Sequence, residues 1–402
     1  MIQIGLERCL QEPHPILEGK RFGLLVNQAS VDAGFRYSHE LLADRFPGQL
    51  VTLFGPQHGL WSEQQDNMIE TGHATDPQLG IPVLSLYAES RKPTHEMLED
   101  LDLLVVDLQD VGTRVYTYIW TLSHCLEACA EQGIPVLVLD RPNPLGGQVI
   151  EGTLLDPAYA SFVGRAAIPM RHALTMGEMA GFLNAHMDLG AEVHVQQMHG
   201  WTRSMLWPAT GRSWIPTSPN LPRIEGVLLY PGMVLLEGCN LSEGRGTTTP
   251  FEVLGAPWLD PEALLTESST GGLTPGTRFG ERGQLPGLHL RPIRFEPTFQ
   301  KHAGQSCGGL YLHPTAPQAL RSYEATLHLL HTIQTLWPKD FAWNPPPYEY
   351  EETLLPIDIL TGSSWLRENL ADPEAMDLLG SQQRRDAQTW LSSIQPHLLY
   401  PS

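Results

Sequence analysis

The sequence predicts an α/β protein with a parallel sheet of βαβ units in its first half and a second half of different character. Two observations carry this. First, five short apolar runs at 21–27, 50–54, 81–86, 103–107 and 135–139 alternate with helical patterns. Continuous apolar runs suit strands buried on both faces, and their alternation with helices implies βαβ units. Second, the composition changes in the second half, where Trp, Pro and Gly accumulate from Gly200 to Trp258. The expected division is residues 1–155 for the sheet domain with the catalytic loops, and 156–402 for a C-terminal domain contributing substrate-binding loops.

The elements follow in order. The run RFGLLVN is the first strand, and Ser38 caps a helix reaching Phe46. Leu50 to Phe54 is the second strand, stopped by Gly55 and Pro56, since proline offers no N–H to a ladder. A polar loop from Gln57 to Glu70 precedes the third strand. Thr94 caps a short helix, LLVVD is the fourth strand, and the loop LQDVGTRVYTY follows. The next helix places Ile119, Leu122, Leu126 and Cys129 on one stripe and ends at Gly133. PVLVL is the fifth strand. Thr175 and Glu178 form a capping box, and Glu192 to Gln197 alternates as a half-exposed strand. The segment 200–258 reads as rigid loops rather than helices. Residues 315–336 read as a long amphipathic helix, and mixed polar helices close the chain.

At 402 residues the chain is long enough for two or three domains. A formal net charge of −20 disfavours nucleic acid or an anionic membrane as partner, because phosphate binding needs a basic face. No run approaches the length of a membrane span, and the N-terminus lacks a basic region followed by an apolar core. With five scattered cysteines, this suits a cytoplasmic, reducing setting.

Polar residues gather at the strand ends. Asn27 follows the first strand, Gln57 and His58 the second, Asp110, Arg114, Tyr116 and Tyr118 the fourth, and Asp140, Arg141 and Asn143 the fifth. Ligands of open parallel sheets bind at the carboxyl ends of strands, so the set together points to one site. Asn and Asp also end strands for local turn reasons, which is the simpler account of Asn27 or Asn143 alone. No dinucleotide fingerprint, P-loop or H-E-x-x-H is present, so no cofactor or metal is expected. Gly304 to Gly308 matches G-x-S-x-G, but it lacks a preceding strand and a following helix, so Ser306 reads as part of a turn.

The ordered motifs GPQHG, SLY, RKPT, DLQDVGTRVYTY, VLDRPNPLGG, EGTLLD, SFVG, SPNLP, EGCNLSEGRGT, PFE and GAPW run through nearly the whole chain. In these it resembles the exo-β-N-acetylmuramidase (NamZ-like) glycoside hydrolases, formerly a domain of unknown function, DUF1343. The resemblance implies release of N-acetylmuramic acid from the non-reducing ends of peptidoglycan fragments, with saccharides as partners. It implies that the first half is a Rossmann-like domain and the second another α/β domain, with the active-site cleft between them. It also implies a catalytic carboxylate in a G-P-E-H-G motif, where this chain has Gln57, and an H-G-M-T motif, where it has His172-Ala173-Leu174-Thr175. Relocation of the acid within the loop is therefore expected, to Glu70 or Glu63, with Asp66 nearby. His58 is the expected proton relay, and Asp110 the partner of the acetamido N–H. Arg114, Arg203 and Arg245 are candidate clamps for the lactyl carboxylate, since arginine binds carboxylates as a fork. Asn220, Glu237 and Asn240 complete the expected binding set. The alternative is a catalytically inactive two-domain sugar-binding protein, favoured by Gln57.

Overall fold

The computed structural model describes residues 2–61, 72–269 and 284–402. Its main sheet has seven strands: β1 (Phe22–Val26), β2 (Leu50–Gly55), β3 (Ala74–Thr75), β4 (Pro82–Ser85), β5 (Leu103–Asp107), β6 (Val136–Leu139) and β7 (Val193–Gln196). The order is β3-β4-β2-β1-β5-β6-β7, parallel except for the short edge strand β3. All five expected strands are present. The side chains of β1 show why the run is unbroken: Leu24 and Val26 pack into one core and Leu25 into the other. Helices cover both faces, so both must be apolar.

The sheet extends past residue 155, because β7 pairs with β6 as its far edge. The expected boundary therefore falls inside the sheet domain. A capping box on Thr175 and Glu178 starts the helix Met176–His186 leading into β7, as anticipated. Gly133 closes the helix Tyr118–Gln132 in the left-handed conformation, φ 66°.

The second half is built on an antiparallel sheet of β8 (Val253–Ala256), β9 (Gln284–Leu285), β10 (Leu288–Phe295) and β11 (Cys307–Pro314), ordered β8-β11-β10-β9. Ser306 is exposed in the turn before β11, so a strand follows it and no nucleophile elbow forms. Two readings need correcting. The segment 200–258 contains a helix, Ile224–Met233, with Pro231 inside it. Its apolar residues are buried on nearly every side, and that burial outweighs the poor propensity of Pro and Gly. Gly232 is the contact point: a Cβ there would lie 2.0 Å from the Ser322 carbonyl oxygen. The long amphipathic helix begins only at Ser322 and runs to Leu336, after a turn.

The C-terminal tail returns to the first sheet. Tyr400 donates from its hydroxyl to Asp140 Oδ2 (2.5 Å), and the Leu399 N–H donates to Glu178 Oε1 (2.9 Å). Among the described residues no helix is long and apolar enough to cross a membrane.

Candidate active site

A small cavity opens where the two halves of the chain meet. From the first half, Gln57 and His58 line it at the end of β2, and Val115, Tyr116 and Thr117 after β5. From the second half come Asn220, Tyr230, Glu237, Arg245, Tyr348 and Glu349. Six of the expected residues thus meet in one cavity: Gln57, His58, Tyr116, Asn220, Glu237 and Arg245. His58 has φ 71° and Glu349 φ 46°, left-handed conformations that cost a residue with a Cβ about 1 kcal/mol or more. Such strain on both walls of one cavity is held in place by the surrounding packing.

Gln57 is buried and fully engaged. Thr117 donates from Oγ1 to Gln57 Oε1 (2.5 Å), and Gln57 Nε2 donates to the Tyr87 hydroxyl (3.2 Å). Tyr87 donates in turn to Glu349 Oε2 (3.3 Å). The Gln57 amide also lies close enough to Glu349 to favour its ionised form.

Two carboxylates in the cavity have contrasting surroundings. Glu237 is ion-paired with Arg245 (2.6 Å) and accepts from the Tyr348 hydroxyl (2.6 Å). Arg245 is shared with Glu243, 3.3 Å away, which Lys301 also neutralises at 2.7 Å. Glu349 has no cation in an ion pair among the described residues. Burial, then the charge of Glu237, pushes its carboxyl up to about 7, against the smaller pull of Arg245, the hydrogen bond from Tyr87 and the nearby Gln57 amide. A carboxyl raised toward neutral pH by burial beside a second carboxylate is the kind of group that serves as a general acid in glycosidases.

Other expected residues lie outside the cavity. Arg114 is fully buried and donates to the carbonyls of Thr153 (3.2 Å), Ile168 (2.8 Å) and Leu360 (2.6 Å), stitching the two halves together. Arg203 is spent on Glu178 (2.7 Å) and the carbonyls of Gly147 and Ala173. Neither guanidinium is available to a lactyl carboxylate. Arg141 forms a fork onto Asp107 (2.6 and 2.7 Å). Asp140 accepts from Thr175, the Gly177 N–H and Tyr400, and burial pushes its carboxyl up to about 6. Asn27 and Asn143 each accept a local turn bond, from the Ala29 and Leu145 N–H groups, and donate across the fold to the carbonyls of Gln109 and Leu174. Tyr118 donates to the Thr217 carbonyl, and Asn240 pins the loop at Asp340 and Ala342. In each case an internal partner takes up the group that a sugar was expected to bind.

Asp110 is close enough to Tyr230 to help raise that phenol's pKa, but it does not line the cavity. The Leu174 N–H donates to His172 Nδ1 (3.2 Å), so a neutral His172 carries its proton on Nε2, which faces Asp110 Oδ2 at 3.7 Å. Glu63, Asp66 and Glu70 lie outside the described residues.

A larger cavity, about 200 Å³, sits at the ends of β1 and β5, where the strand order reverses. The rule for doubly wound sheets favours that crevice. Its cations are already committed, Arg141 to Asp107 and Arg212 to Glu7 (2.8 Å). The smaller cavity holds the titratable pair, and on that chemistry it is the candidate active site. Sequence reasoning missed Tyr87 and Thr117 as its supports and Tyr348 and Glu349 altogether. The one signal was the segment PPPYEYEE, rigid and dense in acids and rings.

Comparison with known proteins extends over the same two halves. The model of the exo-β-N-acetylmuramidase NamZ N-terminal region matches residues 22–225, and that of the NamZ C-terminal region matches residues 228–400. The chain belongs to the NamZ family. It is 38% identical over 399 residues to the peptidoglycan β-N-acetylmuramidase NamZ of Bacillus subtilis, covering 99% of this chain and 91% of that protein. Two crystal structures of DUF1343 family proteins from Bacteroides fragilis are also similar. One has a TM-score of 0.87 at 32% identity and covers 99% of both chains. The other has a TM-score of 0.75 at 26% identity and covers 100% of this chain and 99% of that one. The two NamZ regions meet at residues 225–228, and the candidate cavity draws on both.

Proposed function

We propose that this chain is an exo-acting glycoside hydrolase that releases N-acetylmuramic acid from the non-reducing ends of peptidoglycan fragments. The observation that carries the reading is the pair of carboxyls in one cavity, Glu237 tied to Arg245 and Glu349 pushed up to about 7, in a chain of the NamZ family. Glycoside cleavage needs a proton for the leaving oxygen and a stabilised oxocarbenium-like carbon. With a 2-acetamido sugar, the substrate's own carbonyl can attack that carbon, and the protein then has to orient the amide. Tyr116, Asn220 and Tyr230 line the cavity with hydroxyl, amide and ring groups suited to that task. The five cysteines are free and buried, which supports action on soluble fragments in the cytoplasm.

A second reading rests on Gln57: a two-domain protein that binds such sugars without cleaving them. Incubation with a chromogenic β-N-acetylmuraminide separates the two. Turnover supports the hydrolase, whereas binding without turnover from pH 5 to 9 establishes the binding protein.

A further inference from the structure

We propose that Glu349 is the general acid of this chain, delivered to the glycosidic oxygen from the segment after Pro347 and held there by the Tyr87 hydroxyl, which Gln57 positions. The assignment rests on the muramidase reading above and goes beyond it.

The geometry around position 57 is the starting point. Thr117 donates to the Gln57 carbonyl oxygen, so the amide nitrogen is directed at Tyr87, whose hydroxyl donates to Glu349. A carboxylate at position 57 has no N–H to offer Tyr87 and would repel Glu349. The glutamine is therefore matched to a carboxyl on the opposite wall. Glu349 itself lines the cavity, is only 4% exposed, and sits in a left-handed backbone conformation. Glu237 cannot take the same part, because Arg245 and Tyr348 each bind it at 2.6 Å. It serves instead as the fixed anion that helps Glu349 keep its proton near neutral pH.

In the step assigned, the Glu349 carboxylic acid gives its proton to the glycosidic oxygen as the C1–O bond breaks. The bonding pair leaves with that oxygen, which departs as the aglycone's alcohol. Water then adds its oxygen to C1, and the proton it loses restores the acid. The sum is hydrolysis, with no other reactant consumed.

The test compares leaving groups. A general acid matters when the leaving oxygen is basic and is dispensable when it departs readily as an anion. Glu349→Gln should lower kcat by ~10²-fold or more on the natural disaccharide, and by less than about tenfold on the dinitrophenyl glycoside. Equal losses on both substrates, or no loss on the disaccharide, overturn the assignment. A readout on the unaltered protein covers the case of a variant that fails to fold. The pH profile of kcat/KM should carry an alkaline limb near pH 7 on the disaccharide and lack it on the dinitrophenyl glycoside. An identical limb on both substrates also overturns the assignment. If the unaltered protein hydrolyses neither substrate, the muramidase reading itself fails, a result distinct from the first two.

Discussion

Replacing Glu349 by glutamine should make the protein more stable at alkaline pH. The carboxyl is raised from an ordinary 4.5 to about 7 in the folded state, with burial as the largest cause. The folded protein therefore holds this proton more tightly than the unfolded chain. Below pH 4.5 both states are protonated and the shift has no effect. As pH rises, the unfolded chain releases the proton first, and stability falls until pH passes about 7. Above that, the cost is complete. A shift of this size corresponds to about 3 kcal/mol at 1.36 kcal/mol per pH unit. Glutamine cannot titrate, yet it can still accept from Tyr87. Urea denaturation of both proteins, followed by tryptophan fluorescence, should show a stability difference that moves in the variant's favour by about 3 kcal/mol between pH 4.5 and 8.5. Asp140, also raised, is present in both proteins and cancels in the difference. A difference that does not change with pH would refute the reasoning, because the carboxyl would then titrate alike in both states.

Other outcomes follow from the same contacts. Gln57→Glu puts a second carboxylate against Glu349, so the alkaline limb of the activity profile should move up by roughly one pH unit or more; an unmoved limb argues against their contact. Arg114→Ala leaves three buried carbonyls without their donor, so thermal denaturation should show a loss of about 3 kcal/mol. The KM ratio between muramic acid and N-acetylglucosamine glycosides should stay unchanged, and a selective rise for the former would return Arg114 to the sugar site. Tyr400→Phe removes a hydrogen bond to a buried carboxylate, which should cost ~2 kcal/mol at pH 8 and less at pH 5, where Asp140 is protonated. Equal costs at the two pH values would show that Asp140 does not titrate between them.

The sheet was legible because its signal is local. Each of β1, β2, β4, β5 and β6 is an apolar run bounded by its own turn residues, and a doubly covered strand has only one way to look in sequence. The helix Ile224–Met233 was hidden because its stability comes from neighbours, notably the close approach to Ser322 at Gly232. Arg114 and Arg203, unlike Arg245, lie outside the cavity for a chemical reason. A guanidinium fork looks the same in sequence whether it faces a ligand's carboxylate or, like Arg114, the protein's own carbonyls. Gln57 drew attention as a departure from the expected glutamate, but its answer lay outside the loop. Tyr87 and Glu349 are 262 positions apart, and no periodicity connects residues at that separation.

The bond between Tyr400 and Asp140 also bears on how the protein is made. The two residues are 260 positions apart, and the earlier one directly follows β6, the strand beside the β7 edge of the first sheet. At ribosomal rates of about 5–20 residues per second, β6 leaves the tunnel on the order of tens of seconds before its last partner exists. During that interval the Asp140 carboxyl lacks one of its donors, and the surface that Tyr400 later covers is open to water. Completion of the first domain is thus timed by the synthesis of the segment around Tyr400, and a nascent chain stalled short of it presents an unfinished N-terminal sheet to chaperones and proteases.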